Sequence, residues 1–363
     1  MNAVGLCRRS LPSTHRARLG VSIMIELNSD LVPAAGNLNE NPEEVLAIQN
    51  LRVHYTVREN FRKKTLKAVN GISLSINAGE CLGLVGESGC GKSTLASAIM
   101  GLVPITSGSV HVLGHDMAAN VRNDPLTQAR SVQMVFQDPF ASLNPRRTVR
   151  EALAAPLRLH GMKDKAEIDA RVVDMLGKVG MKPDAANRRP HEFSGGQRQR
   201  ICIARALIVQ PKLLVCDEPV SALDVSIRAQ IINLLLELKD ELGIALLMIS
   251  HDLGVVEHMS DRIAVMYLGR IVEEGIWSDI FTKPLHPYTQ ALIASIPDPL
   301  APTAGKRRMR GEAPSPLNPP QGCAFNPHCP SAFVSCRSGD IPAFTNSSDS
   351  SFHRARCHLL EQG

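Results

Sequence analysis

Aromatic residues are scarce, 4% of 363 with a single Trp, which argues against a surface of stacking platforms for nucleic-acid bases. A strong charge of one sign is also missing. Lys and Arg number 40 against 35 Asp and Glu, and the net +5 is too small to demand a nucleic-acid partner. No apolar run reaches the roughly 18 residues of a spanning helix, so the chain does not cross a membrane by itself. The apolar core and small-residue cleavage site of a signal peptide are not evident. Nine Cys, an odd number without such a signal, argue against a secreted disulfide scaffold. No repeat of about 20–50 residues is visible.

What is present looks globular: 44% hydrophobic and 21% charged residues, at a length that favours about two domains. Residues 1–44 read as a disordered leader, basic at Arg8, Arg9, Arg16 and Arg18, with Met24 an alternative start. Strands are expected over 45–48 and 51–57, followed by a basic turn at Arg62, Lys63 and Lys64. Further strands are expected over 82–85, 131–136, 213–217 and 244–249, and helices over 92–100, 163–180 and 225–242. Apolar strands alternating with helices point to a largely parallel sheet covered by helices. After Lys283 the composition shifts: twelve of 24 Pro and four of nine Cys lie in this last part. Such Pro density forbids long helices and central strands, so this segment needs another source of order.

The chemistry begins at Gly86-Glu87-Ser88-Gly89-Cys90-Gly91-Lys92-Ser93-Thr94, which fits G-x-x-x-x-G-K-[ST] between a strand and a helix. Its glycines let backbone N–H groups wrap a phosphate, and the following helix dipole favours the anion. Lys92 is placed to reach the β- and γ-phosphates and Ser93 to bind Mg²⁺. Strand 213–217 delivers Asp217 to the Mg²⁺ shell, and Glu218 is placed to polarise an attacking water. Ser194-Gly195-Gly196-Gln197 is a second anion-binding turn opening a helix. One nucleotide needs one such helix end, so the second suggests a site completed by another subunit. Gln137 closes a strand where the sheet edge meets Mg²⁺, and His251 follows another strand beside the γ-phosphate. Cys90 is either a small filler or, near a helix N-terminus, a reactive thiol.

This order of motifs, with Ser221-Ala222-Leu223-Asp224 after Glu218, resembles the ABC ATPases over about residues 45–280. The resemblance implies an α/β fold: a P-loop ATPase with a RecA-like core, an antiparallel β subdomain and a helical subdomain near 140–205. It implies hydrolysis of Mg²⁺–ATP in a head-to-tail dimer, Walker A of one subunit facing Ser194–Gln197 and Asp224 of the other. Tyr55 matches the residue that stacks on adenine in that family. The signature begins with Phe193 where Leu is commoner, a change at a packing position.

The string Phe136-Gln137-Asp138-Pro139-Phe140-Ala141-Ser142-Leu143-Asn144-Pro145-Arg146 resembles the F-type ATPase subunit of dipeptide and oligopeptide importers. So do His191 to Arg200, His286-Pro287-Tyr288, Gly311 to Pro316 and Gly322-Cys323-Ala324-Phe325, giving a C-terminal extension over 281–363. The implied partners are a second, D-type ATPase subunit, two permease subunits and an external solute-binding protein. The implied place is the cytoplasmic face of a bacterial cell membrane, with no nucleic acid bound. Relatives of similar sequence handle nickel, glutathione or other small solutes. ABC ATPases of DNA repair usually insert long coiled coils, for which the spacing here leaves no room. Those of translation usually carry two ATPase units, and one P-loop occurs here.

Cys323, Cys329, Cys336 and Cys357 are spaced C-x5-C-x6-C-x20-C, unlike common zinc ribbons. By spacing alone a metal site, ordinary thiols and disulfides all stay open. The resemblance points to a four-iron–four-sulfur cluster, while His328, His353 and His358 nearby keep zinc open. Cys81, Cys202 and Cys216 read as buried small hydrophobes, and Cys7 lies in the leader.

Overall fold

The computed structural model describes residues 43–59, 62–118, 124–296, 314–338, 342–347 and 352–361. The expected leader up to residue 42, with Cys7 and Met24, and the Gly311–Ala313 part of the extension lie outside the described residues. Two sheets organise the rest. One has four antiparallel strands, β1 (Glu44–Glu59), β2 (Arg62–Asn77), β4 (Ser107–Val112) and β5 (His115–Asp116), in the order β2-β1-β4-β5. The other has eight: β3 (Cys81–Val85), β6 (Val132–Val135), β7 (Leu213–Asp217), β8 (Ala245–Ile249), β9 (Arg262–Tyr267), β10 (Arg270–Ile276), β11 (Thr345–Asn346) and β12 (Arg354–Ala355). Their order is β11-β12-β10-β9-β3-β8-β7-β6, and the pairs from β9 through β6 are parallel.

Two expectations change in the first sheet. The segments 45–48 and 51–57 form one strand, not two, because a bulge at Asn50, with φ 45°, lets β1 continue past the break in its apolar pattern. Arg62, Lys63 and Lys64 begin β2 rather than forming the turn; Lys64 pairs with Val57 and its ammonium lies 2.5 Å from Glu59. The later boundaries fall within a few residues of expectation, and the helix Val225–Leu242 is as read.

The parallel strands are apolar throughout because both of their faces are covered. Cys81, Leu214, Cys216, Leu246 and Met248 point into one core, built with the helices Val149–Leu159, Lys165–Lys178, Gly195–Leu207 and Val225–Leu242. Their neighbours Leu82, Leu84, Leu213, Val215, Leu247 and Ile249 point into a second core shared with the antiparallel sheet and the helix Lys92–Ile99. Cys81, Cys202 and Cys216 are buried as expected.

After Lys283 the described elements are short: the helices Pro287–Ala294 and Val334–Ser338, two two-residue strands and a 3-10 turn. Order comes from two sources. Strand β12 adds to β10, pairing Ala355 with Glu273. A third apolar cluster joins Tyr267 of β9 to Tyr288 and Phe325, with ring centroids 4.5 and 5.5 Å from Tyr267. Among the described residues no helix is long and apolar enough to cross a membrane.

Candidate nucleotide site

Strand β3 ends at Val85, and the chain turns through Gly86, Gly89 and Gly91, all at positive φ, into the helix Lys92–Ile99. Glycine is required at two of these. A Cβ on Gly86 would meet the Met266 carbonyl oxygen at 2.2 Å, and one on Gly91 the Ala68 oxygen at 2.1 Å. The neighbouring strands thus press the loop into shape from behind, while Ser88, Gly89 and Ser93 stay exposed. No side chain caps the helix, so its first N–H groups remain available to an anion. Lys92 is buried and donates from Nζ to the carbonyls of Gly86 at 2.6 Å and Glu87 at 2.9 Å.

The ends of three adjacent parallel strands carry the acidic part. Asp217 closes β7, and its buried Oδ1 has no hydrogen-bond partner. Burial pushes its carboxyl above the usual range, offset by a hydrogen bond from Ser93. A buried, unsatisfied carboxylate oxygen beside a serine hydroxyl suits a hard cation with oxygen ligands, so these residues fit Mg²⁺. Glu218 follows at φ 49°, its N–H held by the Ile249 carbonyl at 2.9 Å. The side chain is gripped twice. Gln137, beyond β6, donates from Nε2 to Oε2 at 3.0 Å, and His251 Nδ1, beyond β8, lies 3.0 Å from Oε1. Gln137, expected beside Mg²⁺, holds Glu218 through its amide nitrogen.

The signature turn lies in the other core. Ser194 caps the helix Gly195–Leu207 in a reciprocal box with Gln197, at 3.3 Å and 3.1 Å. A cavity of about 480 Å³ opens beside it, lined by Lys182, Arg188, Phe193, Gln197 and Arg200 among others. Phe193 is buried under the Arg188 guanidinium, 4.3 Å from its ring centroid, a contact a leucine could not make. Asp224 is exposed and opens the helix Val225–Leu242. Arg228, one turn on, pairs with Asp252 at 2.6 Å and so ties this helix to the residue after His251. Tyr55 lies on β1 opposite Leu66, half-buried against the second core. Thr94 is part of the phosphate-loop helix.

Two thiol questions resolve differently. Cys90 is 5% exposed and packs with the second core, and burial pushes its thiol up despite Lys92 nearby. This burial favours the filler reading over a reactive thiol. Cys323, Cys329, Cys336 and Cys357 come together around one small pocket, with His286 and Phe325 in its wall. Among the described residues no group of three or more His, Cys, Asp or Glu is arranged to hold a metal ion. Four thiols around one pocket are, by donor chemistry alone, of the kind that binds an iron–sulfur cluster or zinc.

The ABC transporter family model matches residues 69–221, and that of the oligopeptide/dipeptide transporter C-terminal region matches 272–336. The chain belongs to the ABC transporter ATP-binding proteins that carry this C-terminal region. It is 51% identical to the oligopeptide transport ATP-binding protein OppF of Salmonella typhimurium, over 82% of this chain and 92% of that protein. With AppF of Bacillus subtilis, also an oligopeptide transport ATP-binding protein, identity is 46% over 88% and 98% of the two. With the di/tripeptide transport protein DppF of Pseudomonas aeruginosa it is 44% over 88% and 99%. Among solved structures, the ATP-binding cassette MJ0796, a dimer bound to ADP and Pi, superposes with TM-score 0.58 at 28% identity, over 64% and 98% of the chains.

Some contacts at the site carried no readable signal. Tyr288 reaches the phosphate loop across 201 residues of chain, and Met266 and Ala68 shape that loop with backbone carbonyls alone. Backbone contacts of this kind leave no trace in side-chain pattern.

Proposed function

We propose that this chain is the ATP-hydrolysing subunit of an importer that takes up dipeptides or oligopeptides through a membrane permease. The observation that carries this reading is the joint match of an ABC ATPase and a peptide-transporter C-terminal region, in a chain alignable with nearly the full length of peptide-transport relatives. Lys92 and the N–H groups opening its helix hold the phosphates, and Ser93 and Asp217 hold Mg²⁺, which offsets phosphate charge. Glu218, its two oxygens directed by Gln137 and His251, takes the proton of the attacking water. Ser194 to Gln197 and Asp224 complete the site of a second ATP-binding subunit of D type. That the signature turn and the phosphate loop belong to different cores supports a site shared between subunits.

The exposed Phe136 and Phe140 flank Gln137, and Arg198 of the signature helix stacks on Phe140 at 4.1 Å. This segment couples closure of the ATPase pair to two permease subunits from the cytoplasmic face of the membrane. An external binding protein supplies the solute. Cys323, Cys329, Cys336 and Cys357 hold a four-iron–four-sulfur cluster that cross-links the Pro-rich extension, a reading supported by their shared pocket.

Reconstituting the complete transporter in vesicles tests both. Peptide uptake should require ATP inside and vanish with Lys92→Ala; uptake of nickel or glutathione in place of peptide would overturn the substrate. Anaerobically purified protein should contain iron and sulfide in equal amounts. A colourless, zinc-containing protein would refute the cluster.

A further inference from the structure

The phosphate loop is held from behind by a residue of the C-terminal segment. Tyr288 is fully buried, and its hydroxyl accepts a 3.0 Å hydrogen bond from the N–H of Glu87. The carbonyl of that same peptide unit, Gly86 O, accepts from Lys92 Nζ at 2.6 Å. The Gly86–Glu87 peptide plane is therefore clamped at both ends, by Lys92 on one side and Tyr288 on the other. Because a peptide unit is planar, fixing both ends sets the direction in which the loop leaves β3.

Tyr288 is in turn held through its backbone and its ring. Its own N–H donates to His286 Nδ1 at 3.0 Å. Glu273 of β10, with no exposed surface, accepts from the N–H groups of Leu285 at 2.7 Å and His286 at 2.8 Å. The Tyr288 ring lies 4.5 Å from that of Tyr267 and 5.5 Å from that of Phe325. Phe325 sits between Cys323 and Cys329 in the chain, and its carbonyl accepts from the N–H groups of His328 and Cys329, both at 3.0 Å. Phe325 and His286 also line the pocket of the four thiols. A continuous set of contacts thus runs from that pocket to the phosphate loop.

We propose that Tyr288 is a positioning residue of the nucleotide site, through which the C-terminal segment sets the affinity for ATP. This rests on the reading of Gly86–Thr94 as the ATP site. Tyr288 acts through the Glu87 N–H, holding the loop in the shape that binds phosphate. Without its hydroxyl the half-buried Glu87 N–H loses its acceptor, and the loop must reorganise before nucleotide enters.

The test is Tyr288→Phe in the full chain, which keeps the ring and removes the acceptor. The dissociation constant and KM for Mg²⁺–ATP should rise about three- to tenfold, as one lost hydrogen bond implies, with kcat at saturating ATP changed less than about twofold. Amide hydrogen exchange in the peptide containing Glu87 should accelerate while the melting temperature falls by no more than a few degrees. Phe325→Leu should shift ATP affinity in the same direction. Unchanged affinity together with unchanged exchange would overturn the proposal. If wild type and Lys92→Ala bind Mg²⁺–ATP equally, the ATP-site reading fails instead. Should Tyr288→Phe not fold, the wild type decides alone: a Glu87 amide exchanging as fast as in a free peptide overturns the clamp.

Discussion

Glu218 is held in a left-handed backbone conformation, φ 49°, that costs a non-glycine residue about 1–3 kcal/mol. The surroundings enforce it: its N–H is tied to Ile249, and its carbonyl accepts from both the N–H and the hydroxyl of Ser221. The turn aims the carboxylate between Gln137 and His251 instead of letting it continue β7 towards solvent. On the reading of Glu218 as general base, Glu218→Gln should lower ATP turnover by roughly 100-fold or more while leaving ATP binding intact. Single-turnover hydrolysis beside a nucleotide-binding titration checks this, and near-normal hydrolysis would remove Glu218 as base. The acid itself was legible, since an apolar strand ending in two carboxylates is a local pattern. Its grip by Gln137 and His251 was not, because it depends on β6, β7 and β8 lying side by side.

At the scale of elements, the signature helix Gly195–Leu207 meets the helix Val225–Leu242 through a glycine. A Cβ on Gly196 would lie 2.4 Å from Ile227 Cγ2, a branched atom close to its own backbone with little room to yield. Gly196→Ala should therefore cost about 1–3 kcal/mol of stability and displace the turn at Ser194. Urea denaturation measures the first, and ATPase activity with the partner subunit the second; wild-type behaviour in both would show that the contact relaxes freely. The helices were largely legible from apolar spacing; the cap at Asp164, which the 163–180 reading placed inside the helix, was not. The β1–β2 ribbon was misread at two places, because the bulge at Asn50 and the Glu59–Lys64 ion pair exist only once the two strands are paired.

Across the whole molecule, the buried Glu273 joins β10, the extension and the C-terminal strand. It accepts from Leu285 and His286 and lies 2.8 Å from His353 Nε2. His286 accepts from Tyr288, so it is neutral in the fold; burial pushes its imidazole down from 6.5 to about 4, against the pull of Glu273. The unfolded chain takes up this proton near 6.5 and the folded chain only near 4. Stability from this group is thus complete above the upper value and is lost as pH falls towards the lower one, by up to about 3 kcal/mol. Thermal unfolding across that range should show the decline, and His286→Asn, which keeps a capping acceptor, should flatten it. A decline identical in wild type and variant would assign it to other groups.

The sequence alone determined the ATPase class, the order of its motifs and the layered α/β plan, because phosphate binding, strand burial and helix periodicity are written in short stretches of neighbouring residues. It also marked the Pro- and Cys-rich extension as needing an outside source of order. Only the tertiary structure decided what that source is: an added edge strand, an aromatic cluster, and a tyrosine that reaches the phosphate loop from 201 residues away. The physical reason is distance along the chain. Such contacts are made by backbone groups and buried rings whose partners are chosen by packing, and packing exists only after the chain has folded.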